Sequence, residues 1–352
     1  MTSYDLLFVG HITIDEIVAK EGSARGVPGG APFFGALAAS CSRRRIAVVT
    51  RMAVEDEGCL APLRDAGIDV YLRPVTHTTH MRVIHPTENV DERLMYQTGD
   101  AGFFSLEDMP PLGPCLAHLG ALTDREFTTG FMKGLKERGF RLSVDMQNFV
   151  RQVDVRTGVV HFNDVPGKRE IAVMADIIKL DVTEAEILTG AVDLEEAAVI
   201  VGEWGCPEII ITRSDGVLAR YRGRTYFERF SNKSSHGRTG RGDTTIGAYL
   251  AHRLDHDVEG SLKFAAALAS IKMESPGPFR GTLEDVLFRI FPAEIDRSLL
   301  NYAAGQLLYG EIRHDPGRLR LKDLFQYRHP EQNIICQQET QRDRDQARNS
   351  PL

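Results

Sequence analysis

The sharpest chemical feature of the chain is the segment Thr239-Gly-Arg-Gly-Asp243-Thr-Thr-Ile-Gly247. Glycines ahead of a helix let backbone N–H groups converge with no Cβ in the way, and the helix start adds partial positive charge. The N–H groups of Gly240, Arg241 and Gly242 would there meet the charge of a transferring phosphoryl group. Asp243 falls in the first helical turn, where a carboxylate can take the proton of an attacking hydroxyl. A helix start makes it a weak base, which phosphoryl transfer tolerates because little proton removal precedes the transition state. On these residues alone, Asp243 serves equally well as a cap after a glycine turn. The segment is no Walker A loop, since Gly-x4-Gly-Lys-Ser/Thr does not occur, and Gly247 lies too far past Gly242 for Gly-x-Gly-x-x-Gly.

Other residues suit the same chemistry. Asp15 can accept two hydrogen bonds from vicinal hydroxyls, or cap a turn. Gly29-Gly30 would let a polyol approach the backbone closely, or form a tight turn before a helix. Glu184 opens a helix after a strand, where it would orient magnesium-bound waters or act as a capping carboxylate. Asp145-Met-Gln147-Asn-Phe-Val-Arg151 also follows a strand, so Gln147 and Arg151 can reach substrate or phosphates; an ordinary loop explains the stretch as well. The histidines 77, 80 and 85 read as lid surface, and His252 with His256 lacks a third metal ligand nearby. Cys206 has no adjacent His or helix start to activate its thiol.

The elements that must position these residues alternate. Leu6 to Val9 reads as a buried strand and about Pro32 to Ser42 as an Ala-rich helix, with Pro32 suited to its first turn. Ile46 to Thr50, Leu116 to Leu119, Arg141 to Asp145, Asp176 to Lys179 and Glu208 to Thr212 read as strands. Helices are expected over Glu55–Ala66, Phe127–Arg138, Thr183–Leu188, Asp243 to about Arg253 and Val258 to about Met273. Such alternation predicts βαβ units and a mostly parallel sheet, whose ligands gather at the carboxyl edge. Val217–Tyr221 and Thr225–Phe230 form a hairpin turning at Arg222-Gly223. The stretch Thr76 to Gly99 breaks the rhythm as antiparallel strands around a turn near Asn89, which suggests a small β lid.

Composition excludes classes rather than choosing one. The 352 residues carry 42 Lys+Arg against 49 Asp+Glu, a net −7, and the short run Arg43-Arg44-Arg45 reads as solvated surface. Without a basic stripe, nucleic acid is not an expected partner. No apolar run of about 18 residues suggests a membrane span. The start reads as a strand rather than a signal peptide, and five scattered cysteines suit reduced thiols, so a cytoplasmic location is expected. From about Gln337 the chain is polar and reads as a frayed tail, after a possible helix at Leu299–Leu308.

Gly240-Arg-Gly-Asp243 resembles the Gly-Ala-Gly-Asp signature of PfkB-type (ribokinase-like) sugar kinases. Further motifs follow in that family's order across about residues 4–294. Asp15 and Gly29-Gly30 resemble its sugar-binding residues, and the Thr76–Gly99 insert resembles its lid. Asp181-Val-Thr-Glu184 resembles Asn-x-x-Glu near magnesium and the phosphates; Thr212-Arg-Ser-Asp-Gly216 resembles its nucleotide-side turn. The Ala265–Ser270 helix and Ser275-Pro-Gly277 resemble the wall of its nucleotide pocket. The Gln147 to Arg151 stretch resembles that of inositol-kinase-like members.

The resemblance implies an α/β fold: a ribokinase-like three-layer α/β/α sandwich with a small β lid. Residues 1–298 would form the kinase domain, with the lid inserted at about 76–100, and residues 299–352 a C-terminal extension. It implies ATP and Mg2+ as cofactors and a small sugar, inositol or nucleoside as acceptor. Asp181, Thr212, Gly216, Ala266 and Ser270 would lie on the ATP side, Glu184 on the metal side, and Asp15, Gly29, Gly30, Gln147 and Arg151 on the acceptor side. An open lid sheet invites pairing with a second copy. The chain departs from the family pattern in four places. Gly237-Arg238 stand where relatives carry Asp-Thr, the Asp of which serves a monovalent-cation site. Arg241 replaces Ala, Asp181 replaces Asn, and Ala-Pro-Phe-Phe follows Gly30 without the usual Asn, which makes the sugar pocket more apolar. A catalytically weak nucleotide- or sugar-binding regulator is the competing reading; a nicotinamide dehydrogenase lacks its first-turn glycine motif.

Overall fold

The computed structural model describes residues 2–292, apart from residues 20, 21, 43, 85 and 87–93. Met1–Pro292 packs as one unit, and the expected tail and the helix at 299–308 lie outside the described residues. Among the described residues, nine strands form the central sheet. Their spatial order is Arg224–Arg229, Gly216–Tyr221, Glu208–Thr212, Ile177–Asp181, Arg141–Asp145, Leu116–Leu119, Leu6–Val9, Ile46–Met52 and Asp69–Pro74. The strands from Glu208–Thr212 to Asp69–Pro74 are all parallel, and the first two add an antiparallel hairpin. That hairpin turns at Arg222 (φ 50°) and Gly223 (φ 77°), the paired left-handed geometry that matches strand twist.

The parallel strands are apolar on both faces because helices cover both. Leu7, Val9, Leu142 and Ile209 pack with the helices Thr129–Glu137 and Leu194–Glu203. Leu6, Phe8, Val48 and Ile210 pack on the opposite side with the helices Ala31–Ala39, Arg241–Arg253 and Val258–Met273. This is the expected three-layer α/β/α sandwich. The helix starts follow local rules: the side chains of Thr128, Asp193 and Asp257 accept hydrogen bonds from first-turn N–H groups, and Asp181 with Glu184 forms a reciprocal capping box.

One helix contact places the signature segment. A Cβ on Gly247 would meet the carbonyl oxygen of Gly35 at 2.1 Å, so the helices Arg241–Arg253 and Ala31–Ala39 touch backbone to backbone. A Cβ on Gly240 would enter the Phe34 ring at 2.4 Å, and Gly240 itself has φ 76°. Glycine is needed at both positions for steric reasons that no ligand enters.

The lid is larger than the expected 76–100 insert. Thr13–Ala19 and Gly22–Gly29 are strands of it, with His80–Ile84 and Leu94–Gly99, in the order Gly22–Gly29, Thr13–Ala19, His80–Ile84, Leu94–Gly99. The sheet is also mixed rather than antiparallel, since Thr13–Ala19 runs parallel to His80–Ile84. The Gly-rich stretch before Gly30 reads as a turn because glycine has low strand preference; here its pairing with Thr13–Ala19 overrides that preference. The expected turn near Asn89, and His85, lie outside the described residues. Buried His11 ties lid to body: its Nε2–H donates to the Gly102 carbonyl (2.9 Å), its Nδ1 shares a hydrogen bond with Thr79 Oγ1 (2.8 Å), and its backbone N–H donates to Glu126 (2.7 Å).

Gly247→Ala should therefore force the two helices apart. We expect a loss of about 1–3 kcal/mol in urea unfolding; unchanged stability would show that the helix pair has room to give.

Candidate active site

A cavity of about 830 Å³ opens at the carboxyl edge of the sheet, beneath the lid. It gathers Asp15, Gly30, Gln147, Arg151, Asp181, Thr212, Gly240, Arg241, Gly242 and Asp243, residues that the sequence scatters over more than two hundred positions. Gly29, Glu184, Gly216, Ala266 and Ser270 do not line it.

At one end stands the start of the helix Arg241–Arg253. The Arg241 N–H donates to the Arg238 carbonyl at 3.1 Å, closing the loop, so it is not among the donors left for an anion. The Gly242 and Asp243 N–H groups follow in the first turn, where a helix supplies no acceptor. A Cβ on Gly242 would point at Lys179, 3.4 Å from its Nζ.

Lys179 was not singled out by sequence, yet it lies at the centre of the site. It sits in the middle of the strand Ile177–Asp181 at 3% exposure, and its Nζ is 2.9 Å from Asp145. Burial works against its charge, but Asp145, Glu184, Asp243 and Asp181 outweigh that and hold its pKa raised. The signal was present as a basic residue between the apolar residues of Ile177-Ile-Lys-Leu180. Burial pushes Asp145 up to about 7, against the pull of Lys179 and with the push of Glu184 and Asp243. Arg151 forms a second layer, 2.8 Å from Glu184 and 3.5 Å from Asp181, at 5% exposure.

Glu184 is fully buried. One carboxylate oxygen accepts from Arg151 and the other from the Asp181 N–H at 2.8 Å. Asp181 is the acidic group that reaches the cavity wall at this strand end, with Glu184 behind it. Among the described residues, no three His, Cys, Asp or Glu side chains converge as a metal site, so a magnesium ion here would depend on phosphate and water oxygens.

At the lid end, Asp15 lies beside a register shift in its strand, a bulge that turns it toward the cavity. A Cβ on Gly29 would meet its carboxylate at 2.2 Å, so the first glycine makes room for Asp15 rather than for a polyol. Gly30, with φ 94°, lines the cavity itself. Asp15 Oδ1 and Gln147 Nε2 are buried with no hydrogen-bond partner in the protein, a state that costs free energy until a ligand supplies one. Burial pushes Asp15 up to about 6, with Thr13 drawing it down and Asp243 raising it. Ile17, Met81, Val83 and Met95 make the lid side of the cavity apolar.

The far end differs from the expected nucleotide wall. Ala266 and Ser270 face the packed core: Ser270 donates to the Ala266 carbonyl and accepts from the Ser231 N–H at 2.8 Å. Gly216 belongs to the hairpin, where a Cβ would meet the Glu228 carbonyl at 2.4 Å. Around Thr212 the wall carries Arg213 paired to Asp215, with His236, Arg238 and Arg241. The other candidates have packing roles. His252 stacks on Phe264 and His256, and the Cys206 thiol is pushed up to about 12 by burial.

The model of the pfkB family carbohydrate kinases matches residues 5–284. A cytidine kinase from Thermococcus kodakarensis is 24% identical over 269 residues, covering 70% of this chain and 87% of that protein. A pyrophosphate-dependent kinase in the ribokinase family, complexed with a pyrophosphate analog and myo-inositol, is 30% identical with a TM-score of 0.73, covering 80% of this chain and 99% of that one. Arabidopsis thaliana ribokinase, complexed with ribose and ATP, shares the fold at 17% identity with a TM-score of 0.63, covering 84% and 100%.

Asp15 generates a pH signature. Its folded pKa lies above the unfolded value, so its contribution is present at low pH and is lost as pH rises through about 6. Between pH about 4 and about 6, the wild type should lose on the order of 2 kcal/mol relative to Asp15→Asn. Parallel stability curves in denaturant titrations would refute the burial of an orphaned carboxylate.

Proposed function

The chain belongs to the pfkB family of carbohydrate kinases and is a phosphotransferase acting on an alcohol group; on that footing we propose that Asp243 is the base and a small polyol or nucleoside the acceptor. One observation carries the reading. The orphaned polar atoms of Asp15 and Gln147 share a cavity with Asp243 and with the open first turn of its helix. A ligand with adjacent hydroxyls satisfies Asp15 and Gln147 and turns a further hydroxyl toward Asp243.

The step is an in-line displacement. The acceptor oxygen forms a bond to the transferred phosphorus as the donor's P–O bond breaks, and the hydroxyl proton passes to Asp243. Charge on the transferring oxygens is met by the Gly242 and Asp243 N–H groups and by Lys179. Asp181 would hold a magnesium ion through its water shell, with Glu184 behind it. That ion, when bound, supplies charge to the donor phosphates. The lid excludes water that would otherwise compete for the phosphoryl group.

ATP is the donor expected of the family. A second reading, inorganic pyrophosphate, has a specific observation in its favour. The donor end of the cavity is lined by Arg213, Ser214, Asp215, Ser235, His236 and Arg238, while Ala266 and Ser270 are committed to the core. Cations suit a compact polyanion, and a purine wants an apolar slot. The myo-inositol complex of the pyrophosphate-dependent relative and the cytidine kinase together motivate the acceptor panel.

The test is a phosphorylation panel with myo-inositol, cytidine, ribose and fructose, each offered ATP or pyrophosphate with magnesium. We expect Asp243→Asn to reduce turnover by about a thousandfold or more while keeping donor affinity within a few-fold. Undiminished turnover would remove Asp243 as the base. Ligand-dependent thermal shifts without donor consumption would favour the regulatory alternative.

A further inference from the structure

Lys272 lies on the helix Val258–Met273, whose last turns face the loop leading into the signature segment. Its side chain is 2% exposed. The Nζ donates hydrogen bonds to the carbonyl oxygens of Gly237 and Thr239, two residues of that loop. It also sits 5.2 Å from the centroid of the Phe34 ring, the ring that packs under Gly240. The same loop is fastened from the backbone side. The Gly237 N–H donates to the Met273 carbonyl at 2.8 Å, and a Cβ on Gly237 would meet the Ser275 carbonyl at 1.8 Å.

The surroundings of this ammonium are those of a bound monovalent cation: carbonyl oxygens and a π face, in a buried place. No carboxylate is hydrogen-bonded to it; Asp243 acts on it only through space. A cation tethered there has a plain effect. It draws the Gly237 and Thr239 carbonyls inward and so fixes the turn in which Arg238 receives the Arg241 N–H, just ahead of the Gly242 and Asp243 donors.

We propose that Lys272 is a positioning residue whose ammonium serves as a built-in monovalent cation, holding the Gly237–Thr239 loop so that phosphoryl transfer needs no added potassium. The proposal rests on the reading of Gly240–Asp243 as the phosphoryl site. It accounts for a buried basic residue held against a loop that lacks the family's acidic cation ligand, since Gly237-Arg238 stand there instead.

A pH signature accompanies it. Burial draws the Lys272 amine down to about 8; Asp243 works to raise it and Arg241, from the same helix, to lower it. The other groups against it are uncharged: the loop carbonyls and the Phe34 ring. The protonated form is the one that carries the positive charge the carbonyls draw on, so the brace weakens as pH rises through about 8.

The test uses the full chain, its Lys272→Met and Lys272→Arg variants, and two readouts: pyrophosphate or ATP affinity by calorimetry, and phosphoryl transfer. Tetramethylammonium is the background monovalent cation, replaced by potassium or ammonium at equal ionic strength. The wild type should change by less than about twofold on replacement. Lys272→Met should lose about ten- to a hundredfold in donor affinity, the scale of a charged hydrogen-bond pair, and recover about tenfold with ammonium. Lys272→Arg, charged throughout, should lose the alkaline fall in donor affinity shown by the wild type; this arm decides if Lys272→Met does not fold. Strong activation of the wild type by potassium, a folded Lys272→Met that ammonium does not restore, or an alkaline fall unchanged in Lys272→Arg would overturn the proposal. Donor binding that behaves as expected, without transfer to any acceptor, would support the Lys272 brace and sink the kinase reading instead.

Discussion

Lys179 is the charge on which the phosphoryl end of the cavity depends. Asp145, Asp181, Glu184 and Asp243 converge at the carboxyl edge of the sheet, and each raises the proton affinity of the Lys179 amine. Carboxylates gathered so closely in a low-dielectric place repel one another and would take up protons. A buried ammonium 2.9 Å from Asp145, backed by Arg151 against Glu184 and Asp181, offsets that repulsion. Removing one partner of such a buried pair leaves an uncompensated charge, which costs about 3–5 kcal/mol. Stability and chemistry therefore share the same residues at this edge.

The backbone contacts set where that charge is used. Gly35 and Gly247 let two helices meet without side chains between them, and Gly240 yields its space to Phe34. Together they hold the start of the helix Arg241–Arg253 over Lys179 at a distance that a Cβ on Gly242 would nearly fill. On the lid side, Gly29 yields its space to the Asp15 carboxylate. Gly29, Gly35, Gly240 and Gly247 thus serve contacts inside the protein, whereas Gly242 faces the cavity.

A net charge of −7 is compatible with a polyphosphate donor because the positive potential is local. Lys179 is buried beside Gly242 and Lys272 beneath the Gly237 and Thr239 carbonyls, and Arg213, Arg238 and Arg241 line the same cavity. The acceptor end is built differently, with polar groups on the body side and apolar side chains from the lid. The cavity is therefore cationic at one end and mixed polar and apolar at the other.

Much of this was written in local patterns. Apolar runs gave away the parallel strands, because a strand covered on both faces needs apolar residues at every position. The helix starts followed from capping residues and from Pro32, and the signature segment from glycines beside a first-turn carboxylate. Other features needed the tertiary structure. Gly22–Gly29 became a lid strand because Thr13–Ala19 offered it a partner. Glu184 was withdrawn from the cavity by Arg151, 33 residues away, and Asp181 was left at the wall. Ala266 and Ser270 turned to the core once Ser231 bonded Ser270, and Lys272 met its carbonyls across more than thirty residues of chain. Sequence determines what a residue can do within a turn or two of itself, since propensity and periodicity act at that range. Which buried charges meet, and which glycines give way to a neighbour, is decided only when distant segments pack.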